Sequence, residues 1–206
     1  CADITICGGV RARLFRISFS GELAYEIAVP ARYADSLMRV LMDAGEEFGA
    51  TPYGTEALGV LRIEKGHATA NELNGQTSAA HLGMGRMVSQ KKDSIGTVLS
   101  RREGLSAENG LRLVGLISSE KDTSIPAGAH LFAEGAPHEP ASNQGWVTSA
   151  CYSPHVEKPI ALAFLERGDA RHGEEIVVAN PIEGLTVTAQ VVSPHFVDPE
   201  GERLRA

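Results

Sequence analysis

From Leu111 onward, apolar segments recur every ten to fifteen residues and none lengthens into a helix of three turns. This periodicity constrains the fold more than any other feature of the chain. The segments fall at 111–117, 129–133, 145–151, 160–166, 174–179 and 185–193. Turns containing Gly or Pro separate them, among them Ile125-Pro126-Ala127-Gly128 and Asn180-Pro181. Many short strands at regular spacing predict a small antiparallel barrel or sandwich.

The first half has a different texture. Phe15, Ile17 and Phe19 alternate with Arg16, Ser18 and Ser20, and Leu23, Tyr25, Ile27 and Val29 alternate with Ala24, Glu26 and Ala28. With Ser20-Gly21-Glu22 between them, the two runs predict a β-hairpin over 13–29. One face would be apolar, and the other would carry small residues and Glu26. After Pro30 the period lengthens. Ala34, Leu37, Met38, Leu41 and Met42 form one helical stripe, ended by Gly45 or Gly49. A second helix is expected over 55–65, with Ala57, Leu58, Leu61 and Ile63 inward and Gly66 as its stop. Residues 67–80 read as a polar loop, 94–101 as a short helix and 101–110 as a charged linker. The fold class is therefore α+β, with residues 1–100 forming an α+β segment and 111–206 an antiparallel β-barrel domain.

Composition excludes several classes. The net charge of −7 argues against a protein that coats nucleic acid. No apolar run reaches the ~20 residues of a membrane helix, and Cys1–Val10 is not a signal peptide. Cys1, Cys7 and Cys151 are odd in number and unpaired in spacing, which suits reduced thiols in a cytoplasmic protein. The seven histidines lack metal-ligand spacing, so no metal site is expected. A chain that opens at Cys1 and is in a strand pattern by Phe15 points to a cut from a longer polypeptide.

Few side chains suggest chemistry. Glu26 is either a solvent-facing carboxylate or one turned toward a flat heterocycle, where two oxygens accept two parallel N–H groups. Phe19 is either core packing or an aromatic wall for a planar ligand. Arg62, Glu64 and Lys65 crowd the end of the second helix. Lys65 there suits the helix dipole, and Arg62 and Glu64, two residues apart, do not face each other. Their alternatives are a solvated helix end or contacts to an anion or partner, with Arg62 the candidate for an anion or structural contact. These residues alone name no reaction.

The stretch Arg16-Ile17-Ser18-Phe19-Ser20-Gly21-Glu22-Leu23-Ala24-Tyr25-Glu26-Ile27 closely resembles a signature of the aminomethyltransferase (glycine-cleavage T-protein) family. Gly54-Thr55-Glu56-Ala57 with Leu61-Arg62-Ile63-Glu64-Lys65-Gly66 resembles its G-x-x-A…LR-x-E-x-G helix. Lys92-Asp93-Ser94-Ile95-Gly96 is similar to a further segment. Gly145-Trp146-Val147-Thr148-Ser149, Tyr152-Ser153-Pro154 and Pro159-Ile160-Ala161-Leu162 resemble the family's C-terminal run. The matches are in order and cover nearly the whole chain. Asn71-Glu72-Leu73-Asn74-Gly75-Gln76-Thr77 and Ser193-Pro194-His195-Phe196-Val197-Asp198-Pro199 look like the branch formed by sarcosine oxidase alpha subunits. T-proteins proper carry Ala-Arg-Asp where this chain has Leu58-Gly59-Val60, which removes an arginine that helps hold folate.

The resemblance implies the second half of the folate-binding aminomethyltransferase fold followed by a C-terminal barrel. It implies tetrahydrofolate as cofactor, with Glu26 gripping the pterin edge, Phe19 against the ring and Tyr25 beside it. It further implies an assembly that demethylates sarcosine oxidatively and passes the one-carbon unit to tetrahydrofolate or releases formaldehyde. FAD, FMN and NAD would sit elsewhere in that assembly. The expected partners are its other subunits and the preceding part of the same subunit. The family's catalytic aspartate lies ahead of the hairpin, so no residue here is expected to be catalytic. The alternatives are another folate-dependent aminomethyltransferase or demethylase of this fold, or a non-catalytic folate-binding module.

Overall fold

The computed structural model describes residues 1–89, 91–106 and 110–206. By contacts these divide into two compact units, residues 1–61 with 200–206, and residues 62–199. This cut follows packing alone and differs from the composition-based ranges 1–100 and 111–206. The expected linker 101–110 lies partly outside the described residues, and its described part holds a short helix, α4 (Glu103–Ser106).

In the first unit, β1 (Ala2–Ile6), β2 (Val10–Phe15) and β3 (Glu26–Ala28) form a three-stranded antiparallel sheet in that order. The tight turn lies at Cys7-Gly8-Gly9, between β1 and β2. All three residues have positive φ, which the two glycines adopt without steric penalty. The hairpin expected over 13–29 is corrected by this arrangement. β2 ends at Phe15, β3 begins at Glu26, and residues 16–25 form a ten-residue connection instead of a three-residue turn. Inside it, the Gly21 N–H donates to Ser18 Oγ at 2.8 Å. Such local side-chain bonds offer the backbone an alternative to a ladder.

The longer connection changes the register. A turn at 20–22 would set Phe15 opposite Ile27, whereas Phe15 pairs with Glu26 and Leu14 with Ile27. A one-residue slip flips every side chain. Glu26 therefore shares a face with Phe15, Arg13 and Arg11, while Ile4, Ile6, Val10, Ala12, Leu14 and Ile27 line the other. Ile17 and Phe19 lie outside the strand and are exposed.

Helix α1 (Ala34–Gly45) carries the expected stripe, and Gly49, at φ +70°, closes the short turn of 3-10 helix that follows it. Met38 and Leu41 are nevertheless exposed. Helix α2 (Thr55–Lys65) ends at Gly66, at φ +74°. Its burial differs from the expected pattern. Ala57 is exposed, and the buried residues are Arg62, Ile63 and Glu64.

The second unit is built on a closed barrel of β4 (Leu111–Ser118), β5 (His130–Ala133), β6 (Gly145–Ser153), β7 (Lys158–Glu166), β8 (Glu175–Asn180) and β9 (Leu185–Val192). Their order around the barrel is β4-β7-β6-β5-β8-β9. Inward positions such as Val114, Leu116, Leu131, Val147, Leu165, Ile176, Val178 and Val191 fill it. β7 is buried on both faces. Ala161, Ala163 and Leu165 point inward, while Ile160, Leu162 and Phe164 form a second cluster with Ile63 of α2 and Leu113. Double burial explains why β7 reads as an almost unbroken apolar run. Burying each of its large side chains, Ile160, Leu162, Phe164 and Leu165, contributes about 1.5–3 kcal/mol by leaving water. Short helix α3 (Thr97–Ser100) falls within the expected 94–101.

Candidate functional site

The residues expected to hold folate lie in the first unit, on or next to the connection between β2 and β3. Phe19 is at its middle, Tyr25 at its end and Glu26 is the first residue of β3. None is buried, with relative exposures of 36% for Phe19 and 55% for Tyr25. Glu22, in the same connection, is held by Arg203 of α5 (Glu202–Arg205) at 3.2 Å, and Arg16 donates to the Leu204 carbonyl. The terminal helix thus braces the loop that carries the two aromatic residues. Glu26 presents carboxylate oxygens on the polar sheet face, the chemistry that a pair of heterocycle N–H groups requires.

The charged end of α2 is organised differently. Arg62, Glu64 and Lys65 all anchor segments of the second unit, with Glu64 and Lys65 sharing residues 196–198. Arg62 donates to Glu72 Oε2 at 3.1 Å and to Ser149 Oγ at 2.6 Å. The Glu64 carboxylate accepts from Ser153 Oγ at 2.5 Å and lies 2.8 Å from His155 Nδ1. Its main-chain carbonyl accepts from the N–H groups of Phe196 and Val197. Lys65 Nζ pairs with Asp198, donating to its carbonyl at 2.5 Å and to Oδ2 at 3.3 Å. Neither Arg62 nor Glu64 is solvated, with 7% and 2% of their surfaces exposed. The helix end is thus not a solvated one, and Arg62 makes buried structural contacts.

Glu72 is the centre of this arrangement and was not expected from sequence, where 67–80 reads as a polar loop. It is fully buried. Its Oε1 accepts from Thr148 Oγ1 at 2.6 Å and Ser149 Oγ at 2.8 Å, and its Oε2 accepts from the Thr69 N–H at 2.8 Å. Successive strand residues ordinarily point to opposite faces. A bulge between Val147 and Ser149 breaks the β6–β7 register and lets Thr148 and Ser149 reach the same carboxylate. A sequence signal existed in Thr69-Ala70-Asn71-Glu72, the Thr-x-x-Glu spacing of a reciprocal cap.

These environments set the charge states. Burial alone would raise the Glu72 carboxyl. The hydrogen bonds from Thr148, the Thr69 N–H and Ser149, with the Arg62 charge, outweigh it and hold the group below its ordinary range. Burial first and the Arg62 charge second keep His67 below the usual imidazole range, and burial with Arg112 does the same to His81. Burial, followed by the Glu64 charge, pushes the Cys151 thiol up to about 12. Glu72 is an anion saturated with donors, and Cys151 stays a protonated thiol. The cluster fastens segments 67–72, 148–155 and 193–198 to the end of α2.

Fold and motifs converge on one family. Residues 1–92 match the GCVT N-terminal domain and residues 112–198 the glycine cleavage T-protein C-terminal barrel domain. The chain belongs to the glycine-cleavage T-protein (aminomethyltransferase) family. It is 47% identical over 204 residues to the sarcosine oxidase subunit alpha of Rhizobium meliloti (strain 1021) and 38% identical to that of Corynebacterium sp. (strain P-1). Each match covers 98% of this chain and 21% of the relative. It is 31% identical to the aminomethyltransferase of Saccharopolyspora erythraea over 91% of this chain and 50% of that protein. The aminomethyltransferase T structure from Bartonella henselae shares the fold, with a TM-score of 0.69 at 23% identity, covering 90% of this chain and 50% of that one. The chain thus spans about a fifth of the length of the sarcosine oxidase subunits it matches.

Proposed function

We propose that this chain is the C-terminal part of the alpha subunit of a multi-subunit sarcosine oxidase and supplies one wall of its tetrahydrofolate site. The observation that carries this reading is 47% identity along 98% of the chain to such a subunit. In it, residues 1–100 belong to the folate-binding segment, 111–206 form the barrel domain and 101–110 join them. The assembled enzyme oxidatively demethylates sarcosine to glycine, with FAD, FMN and NAD held outside residues 1–206. Tetrahydrofolate supplies the acceptor for the one-carbon unit, and formaldehyde is released without it. The other subunits and the preceding part of the alpha subunit are its partners, in the cytoplasm.

The residues present suit the group. The exposed carboxylate of Glu26 can accept the paired amino and ring N–H groups of a pterin edge, and Phe19 and Tyr25, on the connection that leads into β3, offer exposed aromatic surface. Their work is binding and orientation, and proton or hydride movement belongs to residues elsewhere in the assembly. A second reading, a folate-dependent aminomethyltransferase, is favoured by the match to the S. erythraea enzyme, against which stands Leu58-Gly59-Val60.

Two measurements test the proposal. The purified 206-residue chain is expected to show no sarcosine oxidation, and turnover by it alone would refute the division of labour. In the assembled enzyme, Glu26→Ala is expected to weaken tetrahydrofolate binding by about 2 kcal/mol, the loss of a charged hydrogen-bonding partner. Unchanged affinity by calorimetry would remove Glu26 from the site.

A further inference from the structure

The barrel carries a cavity that the proposed folate reading does not use. It lies where β5 and β8 meet the β5–β6 loop and the β8–β9 turn, with a volume of about 410 Å³. That falls within the roughly 300–1,000 Å³ of small-molecule sites. Its lining residues all belong to the second unit.

Three features define what would fit. Phe132, buried on β5, stacks on His138 of the following loop with ring centroids 4.8 Å apart, giving an aromatic wall. Leu185 and Pro181 add apolar surface. Asn143 and Asn180 also line the cavity, and each is fixed by its own backbone turn. Asn143 Oδ1 accepts from the Gly145 N–H at 3.2 Å, and Asn180 Oδ1 accepts from the Ile182 N–H at 3.1 Å. With both oxygens committed, the two Nδ2 amides are left as donors, and no bond from either to another described residue is seen. Glu139 lines the same cavity, and a carboxylate can only accept. The negative charge of Glu139 disfavours an anionic ligand, and two amide donors with one acceptor match a neutral edge with both carbonyl and N–H groups.

We propose that this cavity binds a neutral planar heterocycle of the purinone or pyrimidinedione class. The ring lies against the Phe132–His138 wall, its carbonyls facing the amides of Asn143 and Asn180 and an N–H facing Glu139.

Calorimetric titration of the 206-residue chain tests this with theophylline, a neutral ring carrying two carbonyls and one N–H, and with purine, which lacks carbonyls. Theophylline is expected to bind saturably and purine about tenfold or more weaker, the equivalent of one or two lost hydrogen bonds. Asn143→Asp with Asn180→Asp keeps both turn-capping oxygens and removes both donors, and is expected to weaken theophylline by about tenfold or more. Thr186→Trp, at an exposed position lining the cavity, should block it outright while leaving the thermal transition in place. Absence of saturable binding, equal affinity for purine and theophylline, or an unchanged affinity in either variant would overturn the proposal. None of these results bears on folate binding at Glu26.

Discussion

Replacing Arg62 by Met should be among the most damaging single changes in the second unit. The substitution removes the cation from a buried pair and leaves the fully buried Glu72 without it. Two short hydrogen bonds disappear, to Glu72 at 3.1 Å and to Ser149 at 2.6 Å. Bonds to charged groups are worth about 1.5–3 kcal/mol each, and breaking a buried pair on one side costs about 3–5 kcal/mol. The two routes agree on roughly 4 kcal/mol, or about 10 °C in the thermal midpoint for a domain of this size. The double variant Arg62→Met/Glu72→Met removes both charges together and should recover at least half of the loss. Glu72 also sets a pH dependence. Its folded pKa is depressed, so its contribution is present above the ordinary carboxylate range and lost as pH falls through the folded value. In Arg62→Met that loss should begin at higher pH. Urea melts of the wild type and three variants (each single and the double) between pH 3 and pH 7 would measure both effects. Additive single losses, or an Arg62→Met loss under about 1 kcal/mol, would refute the view of Glu72 as a charge held by its partners.

Other outcomes follow from the same structure. At pH 8 iodoacetamide should label the exposed Cys1 and Cys7 and spare Cys151, whose thiol is held up near 12, as mass spectrometry of tryptic peptides would show. His81 is buried with a depressed pKa, so its neutral form stabilises the fold above the ordinary value of 6.5, and that contribution is lost as pH falls through the folded value. His81→Gln should therefore flatten the decline in stability between pH 7 and pH 5, and an identical decline in the variant would count against it. Gly145→Ala places a methyl against the carbonyl oxygen of Phe164 on the neighbouring strand, where backbone cannot yield. A loss of about 3 kcal/mol or more is expected by chemical denaturation, and wild-type stability would contradict the packing described.

The barrel was legible in the sequence because its signal is local. Each strand is one apolar segment between turns, and all six appear where the apolar segments fall. The two long helices were legible for the same reason. The register of Glu26 was not. It depends on the length of the β2–β3 connection, and residues 16–25 keep an alternating pattern without pairing, because Ser18 and Gly21 bond locally. Glu72 was hidden for a different reason. Its partners on β6, the Thr148 and Ser149 hydroxyls, lie 76 and 77 residues away, so a buried ion centre looks like an ordinary polar loop residue. Arg62 was noticed for its charge, but a count of charge at a helix end does not distinguish solvation from burial. The local pattern reveals which segments are apolar, while long-range hydrogen bonds decide which polar residues are structural.

Closure of the barrel has a topological consequence for engineering. Its first and last strands, β4 and β9, are neighbours, with Gly115 opposite Val192 and Ser118 opposite Ala189. The chain therefore enters and leaves the barrel on adjacent strands. A short tether from the end of β9 back to Leu111 would join them without crossing a face. New termini could then open at the exposed turn around Ile182, which is 95% exposed. Such a circular permutant would keep every strand pairing of the barrel while making β9 its first strand.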